Sequence, residues 1–229
     1  MKPVYAAFAF IFCATTAQAA NENTPALQDI VTRMDQAAAK FRAMSAKIER
    51  TKHTAVLNSD DTESGMVYMK KNGARVEGLM DITKPDKKTS VFAGHEVQIY
   101  YPNMKEVDIY DAGKNGEQLE QFITLGFGTS GHDLEKTYDM RVVSNASVKG
   151  QKTVHLELIP KSAEAKKLIK QVDLWITEDN YPVQERILEP SGDYDLWSYS
   201  DVQLNPDLKE QDMQLKLPGG VKKVYPQKP

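Results

Sequence analysis

Three glycines, Gly126, Gly128 and Gly131, have the G-x-G-x-x-G spacing that binds the phosphates of dinucleotides in many enzymes. That site also needs a strand ending at the first glycine, a helix beginning after the third, and a parallel sheet around them. Here the residues before Gly126 have helical periodicity, and the flanking strands are predicted to be antiparallel. We therefore interpret the three glycines as a hinge, because glycine adopts positive φ without strain.

The other chemically active residue types form no recognisable catalytic or metal-binding motif. The four histidines lie far apart, without the H-x-x-x-H or H-E-x-x-H spacing that places two metal ligands on one helical face. Ser130 is out of register with G-x-S-x-G and lacks the strand that precedes the nucleophile in that motif. The acidic stretch 58–65 lacks the glycine and final glutamate of an EF-hand loop, and we interpret it as a hairpin turn. The sequence therefore predicts no catalytic residue, no metal and no cofactor, and an exported enzyme is the weakest alternative.

The first twenty residues have the composition of a secretory signal peptide. Lys2 precedes an apolar run, and Ala17 and Ala19 are the small residues that a signal peptidase requires. The run is shorter than the about 20 residues needed to span a membrane. We predict that residues 1–20 are cleaved and that the mature protein is exported. The length of residues 21–229 suits one all-β domain or two small ones. The only cysteine, Cys13, is then lost with the signal peptide.

The charges argue against a nucleic-acid partner. The chain has 29 Lys and Arg against 32 Asp and Glu, and the two signs are interspersed. A protein that binds a phosphate backbone concentrates basic residues on one surface. We therefore predict a protein that does not bind nucleic acid. No segment after residue 20 is long and apolar enough to cross a bilayer, so we also predict no stable insertion into a membrane.

The periodicity of the apolar residues predicts one helix followed by many short strands. Thr24 is placed as the N-cap and Pro25 as the first residue of an amphipathic helix. From residue 44 onward the apolar period changes to two, and turn-forming residues separate the runs, which predicts sequential hairpins. Helical patterns interrupt the strands at 116–138 and again, briefly, at 161–170.

The alternation also predicts that several strands share one apolar face of an antiparallel sheet. A sheet of about 10 or 11 strands curls, and its apolar face must be covered by helices. The residues assigned to this face are Val97, Ile99, Tyr101, Val154, Leu156, Leu158, Val172, Leu174 and Ile176.

The order of these elements resembles that of the LolA-like outer-membrane lipoprotein carriers. The stretch MSAKIER at 44–50 resembles the family's first strand, and SGMVYMKKNGARVEG at 64–78 resembles its second hairpin. GHEVQIYYPNMKEVDIY at 94–110 is similar to the family's G-x-x-[WV]-x-Y-x-P-x-x-x-x-V segment. Residues 170–208, together with LKLPGGV, resemble its C-terminal half, so the resemblance covers nearly the whole mature chain.

This resemblance implies an α+β fold that is mainly antiparallel β. Residues 21–229 then form a single domain, an unclosed β-barrel of about 10–11 strands, with an N-terminal helix and inserted lid helices over the apolar concave face. The implied function is that of a monomeric periplasmic chaperone. It accepts acylated lipoproteins from an inner-membrane exporter, shields their acyl chains and passes them to an outer-membrane receptor. The alternative on the same fold is a carrier of free lipid or glycolipid, or an envelope-stress sensor.

The resemblance also assigns roles to particular residues. The apolar face becomes the lipid cavity, and the lid residues are Leu119, Phe122, Ile123 and Phe127. In the family's best-known members an arginine followed by proline latches the lid. Here Lys71 stands at the closest position without a following proline, and Arg75 lies four residues on, so both are latch candidates. For each cavity or lid residue the alternative is ordinary core packing.

Overall fold

The computed structural model describes residues 25–73, 75–111, 113 and 125–226. The predicted signal peptide lies outside the described residues. Three predicted lid residues, Leu119, Phe122 and Ile123, also lie outside them.

The helices are short except for the first. They are α1 (Leu27–Lys40), α2 (Gly131–Thr137) and α3 (Ala163–Leu168), with a 3₁₀ helix at Glu210–Asp212. The predicted N-terminal helix is confirmed, but it begins at Leu27 rather than Pro25. Ser130 and Ser162 are the N-caps of α2 and α3, and each side chain accepts a hydrogen bond from the backbone N–H three residues on.

The strands form one twelve-stranded sheet in the order β12-β6-β5-β4-β3-β2-β1-β11-β10-β9-β8-β7. They are β1 (Ala43–Thr54), β2 (Ser59–Asn72), β3 (Arg75–Lys84), β4 (Lys88–Ala93), β5 (Glu96–Tyr101), β6 (Glu106–Asp111), β7 (Tyr138–Val148), β8 (Gln151–Pro160), β9 (Gln171–Thr177), β10 (Pro182–Leu188), β11 (Tyr194–Leu204) and β12 (Lys222–Val224). The sheet is unclosed, which confirms the predicted α+β fold.

Two details of the sheet differ from the prediction. The first is β12, a strand of three residues that pairs in parallel with β6 and brings the count to twelve. Such a strand is too short to show alternation. The second is the predicted turn at 58–65, which is wrong in position, because the chain turns at 55–58 and β2 begins at Ser59. The polar residues 59–63 form a strand because they pair with β1, where Lys52 faces Asp61 and Arg50 faces Glu63.

The sheet consists of two meanders joined by one pair of strands. Strands β1 to β6 are neighbours in sequence order, and so are β7 to β11. The two sets meet where β1 pairs with β11, with Arg50 opposite Trp197. We call this pair of strands the seam.

Two apolar clusters fill the concave side. The first lies beneath α1, whose Ile30 and Met34 pack against strands β8 to β10. The second lies beside it and contains Met44, Ile48 and Phe127. Trp197 packs against both clusters, so the two are continuous. Each fully buried aliphatic side chain of this kind stabilises the fold by about 1.5–3 kcal/mol.

Candidate functional site

An apolar cavity of about 270 Å³ opens on the concave face. Part of its lining consists of residues that are paired across β2, β3, β4 and β5. Val67 faces Met80, Met80 faces Ser90, and Ser90 faces Ile99. The described residues that line it are Ile48, Val67, Met69, Gly78, Leu79, Met80, Ser90, Val91, Phe92, Val97, Ile99, Glu185, Ile187, Trp197 and Tyr199. Val97 and Ile99, two residues of the predicted face, are therefore part of this cavity.

One carboxyl group lies in this apolar lining. Glu185 is only 4% exposed, and the Tyr199 hydroxyl donates a hydrogen bond to its Oε2 at 3.4 Å. Burial raises the pKa of Glu185 to about 8, although the hydrogen bond from Tyr199 acts in the opposite direction. Burial and the nearby carboxyl also raise the pKa of Tyr199. At neutral pH Glu185 is therefore mostly an uncharged acid.

Sequence reasoning missed Glu185, although a signal was present. The alternation in β10 puts Val183, Glu185 and Ile187 on one face, and all three are buried. A glutamate at a strand position that faces the apolar core is costly to bury. Such a residue therefore indicates a hydrogen-bond partner or a shifted pKa. The neighbouring Tyr199 lies in β11, and only the tertiary fold brings the two together.

Charged residues adjoin the cavity beside Trp197. The Arg50 guanidinium lies 5.0 Å from the centre of the Trp197 ring and forms ion pairs with Glu63 at 3.0 Å and Asp195 at 2.9 Å. Lys88 also reaches Glu63, at 2.6 Å. Burial raises the pKa of Glu63, but hydrogen bonds from Lys88 and Arg50 outweigh it and hold the pKa below its usual value. The charged groups beside Trp197 are therefore paired with one another.

The remaining residues of the predicted face lie elsewhere. Tyr101 ends β5 opposite Glu106 and is partly buried, outside the lining of the cavity. The six residues on β8 and β9 belong to the cluster beneath α1, either buried in it or packed against it: Val154, Leu156, Leu158, Val172, Leu174 and Ile176. Their contact with lipid stays a prediction.

The glycine segment is packed tightly against α1 and the sheet. Gly126 and Gly128 have φ of +78° and +77°, and Gly131 is the first residue of α2. A Cβ atom on Gly128 would lie 2.6 Å from Phe41 Cδ1, and one on Gly131 would lie 2.6 Å from the Val31 carbonyl oxygen. The glycines thus allow close approach as well as positive φ. Their role as a hinge stays a prediction.

Phe127, the predicted lid residue within this segment, is 2% exposed. Its ring packs edge-to-face on Tyr199, with 5.0 Å between the ring centroids. The Tyr199 hydroxyl in turn donates a hydrogen bond to Glu185. The side chains of Phe127 and Tyr199 therefore connect the glycine segment to the lining of the cavity.

Alanine at Gly128 is expected to destabilise the protein by about 2 kcal/mol or more, from the left-handed conformation and the contact with Phe41. Gly150 is a matched control, because its φ is +82° and a Cβ atom added there would have nothing within 4 Å. Gly150→Ala should therefore show the cost of the conformation alone. Chemical denaturation measures both. Equal losses of stability in the two variants would show that Phe41 moves away from the added methyl group at no cost. In that case alone, slower lipid uptake by Gly128→Ala could be attributed to a hinge.

The two latch candidates flank the turn between β2 and β3. Lys71 faces Val76 and Arg75 faces Asn72 across the hairpin, and both side chains are exposed. Arg75 Nη2 lies 3.4 Å from His95 Nε2. Three of the four predicted lid residues lie outside the described part of the chain, so the latch stays a prediction.

A polar cluster on the opposite face of the sheet has a structural role. Asp173 is fully buried and accepts hydrogen bonds from Arg186 at 3.0 and 2.8 Å. His155 Nε2 lies 2.7 Å from the same carboxylate, and the His155 ring stacks on Trp175. The carboxylate is satisfied by protein groups, as a buried charge requires.

No helix among the described residues is both long and apolar enough to cross a membrane. Within the same part of the chain, no three His, Cys, Asp or Glu side chains are grouped closely enough to hold a metal ion.

The sequence model of one protein family, described as outer membrane lipoprotein carrier protein LolA, matches residues 39–215. This chain belongs to the LolA family. The match begins in the last turn of α1 and ends after the 3₁₀ helix, so it includes every strand of the LolA-family sheet except β12. No curated protein sequence matches the chain.

Solved structures share the fold at low sequence identity. An uncharacterised conserved protein from Thermus thermophilus is 13% identical with a TM-score of 0.55, covering 86% of this chain and 98% of that one. MucB is 14% identical with a TM-score of 0.53, and the match covers 87% of this chain but 65% of MucB. At these identities the likeness establishes a common LolA-like fold.

Proposed function

We propose that this protein is a lipid carrier, which shields an acyl chain in the apolar cavity and releases it unchanged. The observation that carries the proposal is the cavity itself, which lies on the concave face of a LolA-family sheet. Each methylene group removed from water contributes about 0.8 kcal/mol, so about ten buried methylenes contribute about 8 kcal/mol. Binding of this kind needs apolar surface and no catalytic residue or cofactor.

The family match suggests a particular cargo for the carrier and a particular route between membranes. We propose that the carrier works in the periplasm, takes acylated lipoproteins from an inner-membrane exporter and delivers them to an outer-membrane receptor. The match to the lipoprotein-carrier family model supports this route. A triacylated cargo needs more space than the cavity of about 270 Å³ offers. The predicted cavity residues beneath α1 would supply it once α1 moves aside.

A carrier of free lipid or glycolipid is the second candidate. The size of the cavity favours it, because the cavity of about 270 Å³ lies just below the range of about 300 to 1,000 Å³ that is usual for sites of small molecules. A single acyl chain needs less space than a triacylated cargo. An envelope-stress sensor on the same fold would bind a protein segment instead.

Native mass spectrometry of the protein purified from its own periplasm distinguishes these candidates. We expect a bound mass that is released by mild activation. A triacylated polypeptide supports the lipoprotein route, and a phospholipid or glycolipid supports the second candidate. Protein that is consistently empty, and that binds no added lipid, would contradict both.

A charge placed in the cavity should weaken lipid binding without unfolding the protein. Val97 lines the cavity and is only partly buried, so water can solvate an aspartate there until lipid displaces it. We expect Val97→Asp to weaken the binding of a fluorescent acyl probe by at least about 30-fold, the equivalent of about 2 kcal/mol. The control is Gln98→Asp, which adds the same charge at the next residue of β5, outside the lining. Equal affinities in the two variants would show that lipid binds elsewhere.

A further inference from the structure

The cavity has one polar feature that shielding an acyl chain does not require. Glu185 is the only acidic or basic side chain among the described residues that line it. The residue is more than nine-tenths buried, and its one hydrogen-bond partner in the described structure is the Tyr199 hydroxyl, which reaches Oε2. The other carboxyl oxygen therefore has no protein partner among those residues. Among the described residues, the buried side-chain atoms without a partner are Thr153 Oγ1 and Asn180 Oδ1, so the free oxygen of Glu185 is accessible from the cavity. A ligand that formed a hydrogen bond with it would gain affinity.

The chemistry of this carboxyl selects the ligand group. Burial keeps the proton on Glu185 at neutral pH, so the side chain presents an O–H donor to the cavity rather than a negative charge. A cationic headgroup would need the ionised form. An uncharged carbonyl oxygen accepts from the O–H donor without any change in protonation.

The pair is also held in position. The Tyr199 ring packs edge-to-face on Phe127, and its hydroxyl donates to Glu185. Glu185 lies between Leu174 and Trp197 in the sheet, which are its cross-strand partners. Rigid placement of a polar group in an apolar site is what gives a binding site orientation and specificity.

We propose that Glu185 and Tyr199 form a polar anchor that binds the ester or amide carbonyl joining an acyl chain to its headgroup. This inference rests on the proposed function and adds the chemical class of the ligand. The anchor sets how deeply the chain enters, because the carbonyl must reach Glu185 while the methylenes occupy the apolar lining. Pure hydrocarbon chains and alkyl ethers lack the carbonyl and bind more weakly.

The test compares two probes of equal chain length, 1-palmitoylglycerol with an ester carbonyl and 1-hexadecylglycerol with an ether. Competition against a fluorescent acyl probe gives the two affinities. The wild type should prefer the ester about tenfold, which is the effect of one hydrogen bond. Glu185→Leu should lose this preference and still bind the ether. Glu185→Gln should retain part of the preference, because its amide group donates.

The matched control is Ser90→Ala, which removes the hydroxyl of another residue in the lining and should leave the preference unchanged. Tyr199→Phe is a second measurement in case Glu185→Leu does not fold. This variant should also reduce the preference for the ester. Equal binding of ester and ether by the wild type, or an undiminished preference in both Glu185→Leu and Tyr199→Phe, would overturn the anchor and leave the carrier function intact. Failure of the wild type to bind either probe would overturn both.

Discussion

Replacing Leu174 with aspartate is expected to unfold the protein. Leu174 has no exposed surface and lies in the cluster beneath α1, between Leu156 and Glu185 on the neighbouring strands. The change removes about 2–3 kcal/mol of apolar burial and places an unpaired carboxylate where water is excluded, which costs several kcal/mol more. The sum is comparable to the whole stability of a typical domain, about 5–15 kcal/mol.

Circular dichroism and chemical denaturation measure this effect. Leu168→Asp is the matched control, because Leu168 ends α3 with 72% of its surface exposed. A surface change of this kind shifts stability by about 0.5 kcal/mol or less. A folded Leu174→Asp variant of near-normal stability would show that water reaches the space beneath α1, and would favour lipid contact there. Lost lipid binding in an unfolded variant says nothing about the cavity, and for that reason Val97 is the better site for the binding test.

The free energy of unfolding is expected to fall as pH rises from about 4.5 to about 8, the ordinary and the raised pKa of the Glu185 carboxyl. Within this window the unfolded chain releases the proton of Glu185 and the native protein keeps it, so higher pH favours the unfolded state. The loss reaches about 3 kcal/mol at pH 7, from about 1.36 kcal/mol for each pH unit. Below pH 4.5 both states are protonated and this loss disappears.

Denaturation curves at several pH values, for the wild type and for Glu185→Gln, isolate this contribution. The variant has no proton to release at position 185, so the difference in stability between the two proteins should grow across the window, and near pH 7 the variant should be the more stable. Other titratable groups, such as the carboxyls of Asp35, Glu63 and Asp133 whose pKa is lowered, are common to both proteins, so their contributions cancel in this difference. Parallel curves for the two proteins would contradict a raised pKa at Glu185.

Local patterns in the sequence predicted the helices and strands, and the resemblance to the LolA family implied the unclosed barrel. The helical spacing at residues 27–41 predicted α1, and alternation predicted a large antiparallel sheet with one apolar face. Both are confirmed, because periods of 3.6 and 2 follow directly from the geometry of helix and strand. The strand β12 was not predicted, since three residues held by pairing with β6 have no period of their own.

The site was harder to predict because alternation identifies the apolar face but not what covers each part of it. Val97 and Leu174 have the same sequence pattern, yet Val97 lines the cavity and Leu174 lies in the cluster beneath α1. The difference depends on where α1 lies on the sheet. Glu185 and Tyr199 lie on different strands, so their contact also depends on tertiary structure.

The seam between β1 and β11 sets the order in which the protein can fold. Strands within each meander pair with sequence neighbours and can form early. The seam joins distant residues such as Arg50 and Asp195, which are separated by 145 positions. Closing so long a loop slows folding, because its entropy is lost before the contacts form. Until then β1 and β11 are both open edges on which another chain can add a strand. During synthesis, the edge of β1 that pairs with β11 therefore stays unpaired until β11 has been made. It is in this interval that the protein most needs protection from aggregation.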